Sequence, residues 1–452
     1  MKTVLTVAGS DSSGGAGIQA DLKTFAAHRV FGTSVITSIT AQNSRGVRGT
    51  DDLSPDVVER QFRAVFEDPK PSAVKIGMLG NAEIVECVVR QLRRNRIRNL
   101  VVDPVIRSSS GKTLLSAKGV RALRDGLLPL ARVVTPNLKE AEILSGIRIK
   151  TPGDRIKAAR KILKTGVQSV LITGGHGKGR PVDLFYEGGR PRLLDADRLT
   201  REDLHGTGCV LSAAIASGLA VGKDLVDAID SAKEFIGRAI AGGVRPGKGA
   251  PCVEPLAGLY QSEERLELFQ KVSAAVEILK KERIGHLIPE VQSNLGVGLE
   301  RVRTRDDVIG FPGRIVKFGE DIVTLAPPQF GASRHVADIV LTIMRYDPDK
   351  RAVMNIKYSG DLLNICKRLK YKIARFNRAD EPRRVRKKEG ASLEWGTDCA
   401  IRQYGAVPDI IYDLGGVGKE EMIRVIAEDI DSLVEKILAI HSRWKKLNKF
   451  EA

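Results

Sequence analysis

The run His205-Gly206-Thr207-Gly208-Cys209 is the most chemically loaded stretch of the chain. Its glycines let consecutive backbone N–H groups point into one cavity. The small and apolar residues that follow, Val210 to Ala220, predict a helix whose positive N-terminal end faces that cavity. Gly206, Thr207 and Gly208 are therefore a candidate cradle for a phosphoryl group gaining charge during transfer. Cys209 falls in the first turn of the helix, where a thiol tends toward a lowered pKa and can position or deprotonate a substrate hydroxyl. The competing reading is a glycine-rich cap on a helix that only packs.

Asp103 closes the apolar run Val101-Val102-Asp103-Pro104-Val105, and a carboxylate at that place suits Mg²⁺ held through water. Glu140 is a second metal candidate, although Asn137 with Glu140 three residues on is equally an ordinary capping box. Residues 9–17, Gly-Ser-Asp-Ser-Ser-Gly-Gly-Ala-Gly, follow the first predicted strand and open a helix. They satisfy a loose dinucleotide pattern at Gly15, Gly17 and Ala20. The second strand ends in Thr40-Ala41-Gln42-Asn43, with no acid for a ribose, and no Lys-Ser/Thr follows to make a phosphate loop of the Walker type.

Three clusters stand out farther along. Phe311-Pro312-Gly313-Arg314 places an arginine at a turn, and Gly331-Ala332-Ser333-Arg334-His335 precedes an apolar helix. Residues 408–420 read as a strand, a glycine-rich loop and then a helix. The last two are loop-to-helix junctions suited to anions. Arg314, Arg334 and Lys419 are candidates to clamp a diphosphate. Taken singly, each is equally a surface arginine, a capping histidine or a glycine turn.

Elements at regular spacing must position these residues. Strands are expected at Val4–Ala8, Ser34–Thr40, Ala73–Gly77, Asn99–Asp103, Arg132–Thr135 and Ser169–Thr173. Helices are expected at Ala16–His28, Pro55–Phe66, Ala82–Arg94, Ser116–Arg124, Leu138–Leu144, Arg155–Lys164 and Gly208–Ala220. This alternation predicts an α/β domain, a mostly parallel sheet with helices on both faces and ligands at the carboxyl ends of its strands. Residues 242–262 are rich in Gly and Pro and read as a closing loop and linker, followed by a helix at Glu263–Lys281. Beyond residue 285 a separate α/β or α+β domain is expected, with strands at Arg314–Phe318, Ile322–Leu325 and Ala352–Lys357. Its helices are expected at Val336–Met344, Leu362–Leu369 and Lys419–His441.

Length and charge narrow the classes. The 452 residues exceed one ordinary core. Residues 1–260 hold 39 Lys+Arg against 26 Asp+Glu, and residues 261–452 hold 34 against 29, so the positive excess lies in the half that looks like an enzyme. A kinase handling phosphates accounts for it without nucleic acid. The basic run 383–388 has no interleaved aromatics for base stacking and reads as a solvated loop. No apolar run is long enough for a membrane helix, and the N-terminus is too short and strand-like for a signal peptide, so a cytoplasmic protein is expected. The five scattered cysteines form no CxxC pair.

Together these residues resemble the hydroxymethylpyrimidine/phosphomethylpyrimidine kinase family, over about residues 1–258. The resemblance rests on residues 8–21, on Thr40-Ala41-Gln42-Asn43, on residues 75–79, on residues 102–105 and on His205–Cys209. It implies a ribokinase-like fold, ATP as phosphoryl donor and two successive phosphorylations of an aminopyrimidine alcohol. It further implies that Gln42 reads the aminopyrimidine, that Gly9, Met78 and Val105 line its pocket, and that Cys209 stands where related sugar kinases carry an aspartate base. A carboxamide offers one donor and one acceptor, which matches a ring nitrogen beside an exocyclic amine. Thr173, where family members often carry Lys, and Leu204, where Thr is usual, depart from the pattern.

Residues 265–450 resemble the thiamine-phosphate synthase domain found fused behind such kinases. The matching segments are 289–294, 312–315, 331–335, 354–358, 389–396 and 408–420. The resemblance implies that Arg314 and His335 are essential to joining a pyrimidine diphosphate to a thiazole phosphate, and that the chain is a homodimer acting on small molecules. Two competing readings are a kinase with a thiamine-phosphate-sensing C-terminal module and a kinase for another aromatic alcohol such as pyridoxal.

Overall fold

The computed structural model describes residues 1–448 except 69, 109–110, 176–179, 201, 303, 383–384, 386–390 and 417. All of the basic run 383–388 but Val385 therefore lies outside the described residues. Two compact units are present, Met1–Tyr260 and Gln261–Ala452.

In the first unit the order is β1 (Thr3–Asp11), α1 (Gly17–Ala27), β2 (Phe31–Asn43), β3 (Gly46–Asp52), α2 (Pro55–Glu67), β4 (Ala73–Ile76), α3 (Ala82–Asn95) and β5 (Leu100–Val102). Then come α4 (Ala117–Ala122), β6 (Val133–Val134), α5 (Leu138–Ser145), α6 (Pro152–Leu163), β7 (Val170–Ile172), β8 (Val182–Tyr186), β9 (Arg192–Asp195), α7 (Thr207–Ala220) and α8 (Leu225–Ala241). The strands form one sheet in the order β3-β2-β1-β4-β5-β6-β7-β8-β9. Pairing is parallel from β2 through β7 and antiparallel at the β3, β8 and β9 margins.

The central strands β4 to β7 are buried at every position because both faces are covered. Side chains alternate across the sheet. Leu100, Val102, Val134 and Val170 enter one core with α3, α5 and α6, while Val101, Val133 and Leu171 enter another with α7 and α8. Side-chain caps start the helices where the sequence places them. Ser54 accepts from the Val57 N–H ahead of Pro55, and Asn81 accepts from the Ile84 N–H. Each expected strand and helix of this unit is present. The margin strands β3, β8 and β9 and the helix α8 are additional.

The second unit contains most of α9 (Ala257–Lys281), then β10 (Leu295–Gly298), β11 (Val308–Gly310), β12 (Ile315–Phe318), β13 (Asp321–Thr324), β14 (Gln329–Phe330) and α10 (Arg334–Met344). It continues with β15 (Ala352–Lys357), α11 (Gly360–Arg368), β16 (Ile373–Arg375), α12 (Ala391–Tyr404), β17 (Ile410–Asp413), β18 (Met422–Ala427) and α13 (Ile430–Asn448). Its main sheet runs β14-β11-β10-β15-β18-β17-β16, with only the β16–β17 pair parallel. The α+β alternative therefore describes it.

One expected element is overturned. The helix predicted over Lys419–His441 is a strand and then a helix, β18 followed by α13. Met422 to Ala427 is a short run, apolar except for Arg424, buried throughout and laddered to β15 on one side and β17 on the other. β-Branched residues at that length favour a central strand over a helix start. Gly416 and Lys419 pair between the antiparallel strands β17 and β18, so Lys419 belongs to a hairpin connection and does not stand at a helix N-terminus.

Candidate active site

The carboxyl ends of β1, β2, β4 and β5 and the start of α7 deliver the first constellation. Two glycine turns meet there at backbone distance. Gly206 has φ 88°, and a Cβ on it would lie 2.0 Å from the Gly15 carbonyl oxygen. No other residue fits that contact. Gly208 lies over Asp103, since a Cβ on Gly208 would be 3.4 Å from Asp103 Oδ2. The Ser212 hydroxyl, one turn into α7, reaches the same oxygen at 3.4 Å. The predicted cradle and the predicted metal carboxylate are thus adjacent.

Gln42, at the end of β2, contacts His205, with the carboxamide nitrogen 2.7 Å from the ring Nε2. That Nε2 is also 3.4 Å from Asp11 Oδ2. Asp11 further accepts from the Ser13 N–H and hydroxyl and from the Ala16 N–H, each at 2.7–2.8 Å. Burial raises its carboxyl, but the His205 ring and the Ser13 bonds outweigh it and hold Asp11 at about 2. Met78 is buried, and a Cβ on Gly9 would meet its sulfur at 3.2 Å. Gly9 and Met78 therefore touch, as a shared pocket wall requires. Val105 is half-buried just beyond Asp103.

Beneath this surface lies a pair that had received no role. Lys75 Nζ donates to both oxygens of Asp21 at 2.8 and 2.9 Å, and the Thr6 hydroxyl adds a third bond at 2.5 Å. Both charged side chains are fully buried. The signal was present as the polar residue Lys75 inside the apolar run Ala73–Ile76. Lys75→Met leaves Asp21 buried and unpaired. The expected loss is about 3–5 kcal/mol in denaturant unfolding, with most of it recovered when Asp21→Asn is added.

Cys209 corrects an expectation. Its thiol is not lowered by the helix end. Burial, aided by the Asp21 and Asp103 charges, pushes it up to about 12 despite the nearby Lys75 ammonium. The thiol is therefore protonated at neutral pH. Alkylation by iodoacetamide at pH 8 is expected to be slower at Cys209 than at a free cysteine by about tenfold or more, read by peptide mass spectrometry.

Glu140 forms the capping box. It accepts from the Asn137 N–H at 3.0 Å while Asn137 accepts from the Glu140 N–H at 3.0 Å. Its other oxygen takes the Ile106 N–H at 3.4 Å. Burial and the neighbouring Asp103 raise its carboxyl to about 8, and burial raises Asp103 to about 6. Asp103 fits a magnesium held through water, because a cation there relieves buried negative charge. Glu140, with both oxygens on backbone donors, fits only as a charge farther out. Thr173 follows β7 and bonds the Pro136 carbonyl through its N–H at 2.9 Å, beside the same capping box.

In the second unit Arg314 has φ 72°, a left-handed conformation that a turn must hold. Its guanidinium donates to the Val291 carbonyl. Glu420 fixes that segment by accepting from the Glu290 and Val291 N–H groups at 3.0 and 2.9 Å. The buried Asn294 side chain locks Phe311 in place through two bonds, at 2.8 and 3.0 Å. Arg334 and His335 are exposed at the start of α10, whose N-cap Ser333 makes no side-chain cap bond. A Cβ on Gly310 would lie 3.5 Å from Ser333 Cβ and 3.7 Å from Asn294 Oδ1, so the Arg314 turn and the α10 start share a floor.

Among the described residues, no contact brings Lys419 to that floor. It lies 3.1 Å from the Ser392 hydroxyl and 3.7 Å from the Glu381 carboxylate. Its neighbour Glu420, rather than Lys419, is bonded to the segment beneath Arg314.

Known proteins divide the chain in the same way. The phosphomethylpyrimidine kinase family model matches residues 11–254, and the thiamine-phosphate synthase ThiN model matches residues 271–439. A hydroxymethylpyrimidine/phosphomethylpyrimidine kinase of Rhizobium meliloti is 50% identical over 241 residues, 52% of this chain and 90% of that protein. The bifunctional thiamine biosynthesis protein ThiDN of Methanocaldococcus jannaschii is 33% identical over 446 residues, 98% of this chain and 99% of that one. Among solved structures, the ADP complex of Bacillus subtilis pyridoxal kinase is similar with a TM-score of 0.55 and 38% identity, covering 57% of this chain and 99% of that chain. A Staphylococcus aureus pyridoxal kinase with AMP-PCP and pyridoxal is similar with a TM-score of 0.52 and 36% identity, covering 57% and 94%. Those likenesses make the first unit a ribokinase-like domain. With both family matches in order and a relative aligned end to end, the chain belongs to the bifunctional thiamine biosynthesis family in which a phosphomethylpyrimidine kinase precedes a ThiN-type thiamine-phosphate synthase.

Proposed function

We propose that residues 1–258 phosphorylate 4-amino-5-hydroxymethyl-2-methylpyrimidine and then its monophosphate, and that residues 265–450 couple the diphosphate to thiazole phosphate. The observation that carries this reading is the end-to-end likeness to the bifunctional relative. It favours a second enzyme over a product-sensing module.

In the kinase half Gln42 holds the ring edge against the Gly9–Met78 wall, with Val105 beside it. The hydroxyl oxygen attacks the γ-phosphorus of ATP, the bridging P–O bond breaks, ADP leaves and the hydroxyl proton passes to a phosphate oxygen and then to water. Gly206, Thr207 and Gly208 face the transferring group with backbone N–H donors. The loose transition state of phosphoryl transfer needs positioning more than a base. A protonated Cys209 fits that demand by orienting the acceptor oxygen. Asp103 would hold a magnesium ion, with Glu140 contributing charge behind it, and the bound ion would supply neutralisation of phosphate oxygens.

In the synthase half Arg314, Arg334 and His335 face the departing diphosphate. The methylene C–O bond breaks, leaving a stabilised pyrimidinylmethyl cation, and the thiazole nitrogen forms the new C–N bond. Neutralising the leaving group and aligning the two substrates are the tasks left to the protein. The working form is taken as a cytoplasmic homodimer, checked by light scattering.

A substrate panel tests the kinase assignment. ADP release is expected with the pyrimidine alcohol and its monophosphate, and is expected to fall by about 100-fold or more in Gln42→Ala. Faster turnover of pyridoxal than of the pyrimidine would overturn it.

A further inference from the structure

Asp11, His205 and Gln42 come from three separate segments, the end of β1, the turn before α7 and the end of β2, and they meet around one imidazole nitrogen. With the carboxamide NH₂ turned toward it, that nitrogen cannot serve both neighbours. Asp11 is 4% exposed, and its carboxylate is fixed by three donors from Ser13 and Ala16. Burial alone would raise its carboxyl, yet the net effect leaves it ionised far below neutral pH. A carboxylate only accepts hydrogen bonds, so His205 carries a hydrogen on Nε2. An N–H at Nε2 then cannot face an amide NH₂ at 2.7 Å, since two donors repel. The atoms O and N of a carboxamide are exchanged by a half-turn, and the hydrogen-bond network decides between them. The network here requires Gln42 Oε1 toward His205.

We infer that Asp11 and His205 are positioning residues that fix which way the Gln42 carboxamide faces, and thereby make the kinase choose a 4-amino over a 4-oxo pyrimidine. The inference rests on Gln42 reading the ring edge, as proposed above. Oε1 has two lone pairs. One takes the His205 N–H and the other remains for an exocyclic amine of the substrate. The Gln42 NH₂ is left to donate to the ring nitrogen. A 4-oxo ring presents the opposite pattern, a carbonyl acceptor beside a ring N–H, and it needs the carboxamide turned over. Turning it over sets NH₂ against the His205 N–H. The choice between the two rings is therefore made by a repulsion built behind the contact residue rather than by that residue itself.

The test compares kcat/KM for the 4-amino alcohol with that for its 4-oxo analogue, using the full chain. Selectivity is expected to fall by about 10- to 100-fold in His205→Leu and in Asp11→Asn, and to be restored substantially by His205→Gln, whose amide can supply a donor near the Nε2 position. General damage to the nearby phosphate cradle lowers both rates and leaves their ratio alone. A ratio unchanged in His205→Leu while Gln42→Ala abolishes selectivity would overturn the inference and leave the Gln42 reading standing. A ratio unchanged in Gln42→Ala would overturn the Gln42 reading first. Nitrogen-15 NMR of the ring-labelled protein, with His205 assigned by its loss in His205→Gln, reads the tautomer without any substrate. A hydrogen on Nε2 is expected, and an unprotonated Nε2 would contradict the account whatever the rates show.

Discussion

Arg314→Ala is expected to lower the rate of thiamine phosphate formation by about 10³-fold, while ADP release from ATP in the presence of the pyrimidine alcohol stays within about twofold of the parent. The magnitude follows from what the guanidinium does. It is exposed in the free protein, rests on the Val291 carbonyl and is free to exchange that partner for two diphosphate oxygens. Arg314→Lys is expected to recover little, because an ammonium cannot make the paired contact. The left-handed backbone at Arg314 favours glycine, so Arg314→Gly serves as a control in which the turn survives and the charge does not. Equal loss in Gly and Ala variants separates charge from turn geometry. Parallel loss of both activities would contradict the division of labour.

Asp103→Asn is expected to move activity and stability in opposite directions. Kinase kcat falls by about 10²–10³-fold, because the carboxylate beside the cradle is lost. Yet the ligand-free protein becomes more stable. Burial raises Asp103 from an ordinary 3.8 to about 6, and burial with Asp103 raises Glu140 from 4.5 to about 8. An unfolded chain therefore releases these protons at lower pH than the folded one. Folding is penalised increasingly as pH climbs from about 4 to about 8, and the penalty is absent below both ordinary values. Removing the Asp103 charge abolishes one share of it and relieves Glu140. A rise in Tm of about 2–4 °C at pH 8, shrinking toward pH 5, is expected by calorimetry without ligands. A lower Tm at pH 8 would mean that Asp103 is a structural residue rather than a charge held in reserve for a cation.

Much of this was legible in the sequence, and what was not has physical reasons. The aliphatic runs Val4–Ala8, Ala73–Gly77 and Asn99–Asp103 announce buried parallel strands, so the residues at their carboxyl ends could be named in advance. Gly206 was legible because a close approach of backbone to backbone tolerates little else. The margin strand β3, Gly46–Asp52, carries no apolar alternation and is defined only by its pairing with β2. Helix α8 did carry a signal, with Leu225, Ala228, Ile229, Ala232, Ile236 and Ala239 at helical spacing. β18 was misread because Glu420 and Glu421 before an apolar run mimic a helix start, while the burial that makes it a strand comes from distant partners.

The same separation hides the chemistry. His205 reaches Gln42 across 163 positions and Lys75 reaches Asp21 across 54. Local spacing cannot show either contact. Cys209 shows the hazard most directly, since its place in a helix turn suggests a lowered thiol and its burial among carboxylates raises it. Glu420, next to the lysine that the pattern favoured, proves to be the residue that braces the segment under Arg314.

The central claim is that one chain carries the pyrimidine from alcohol to thiamine phosphate. Phosphorus-31 NMR of the purified protein with ATP, Mg²⁺, hydroxymethylpyrimidine and thiazole phosphate tests it in one tube. The account predicts that thiamine phosphate and free diphosphate grow together, with the pyrimidine diphosphate passing through a transient. Accumulation of the pyrimidine diphosphate without thiamine phosphate would contradict it.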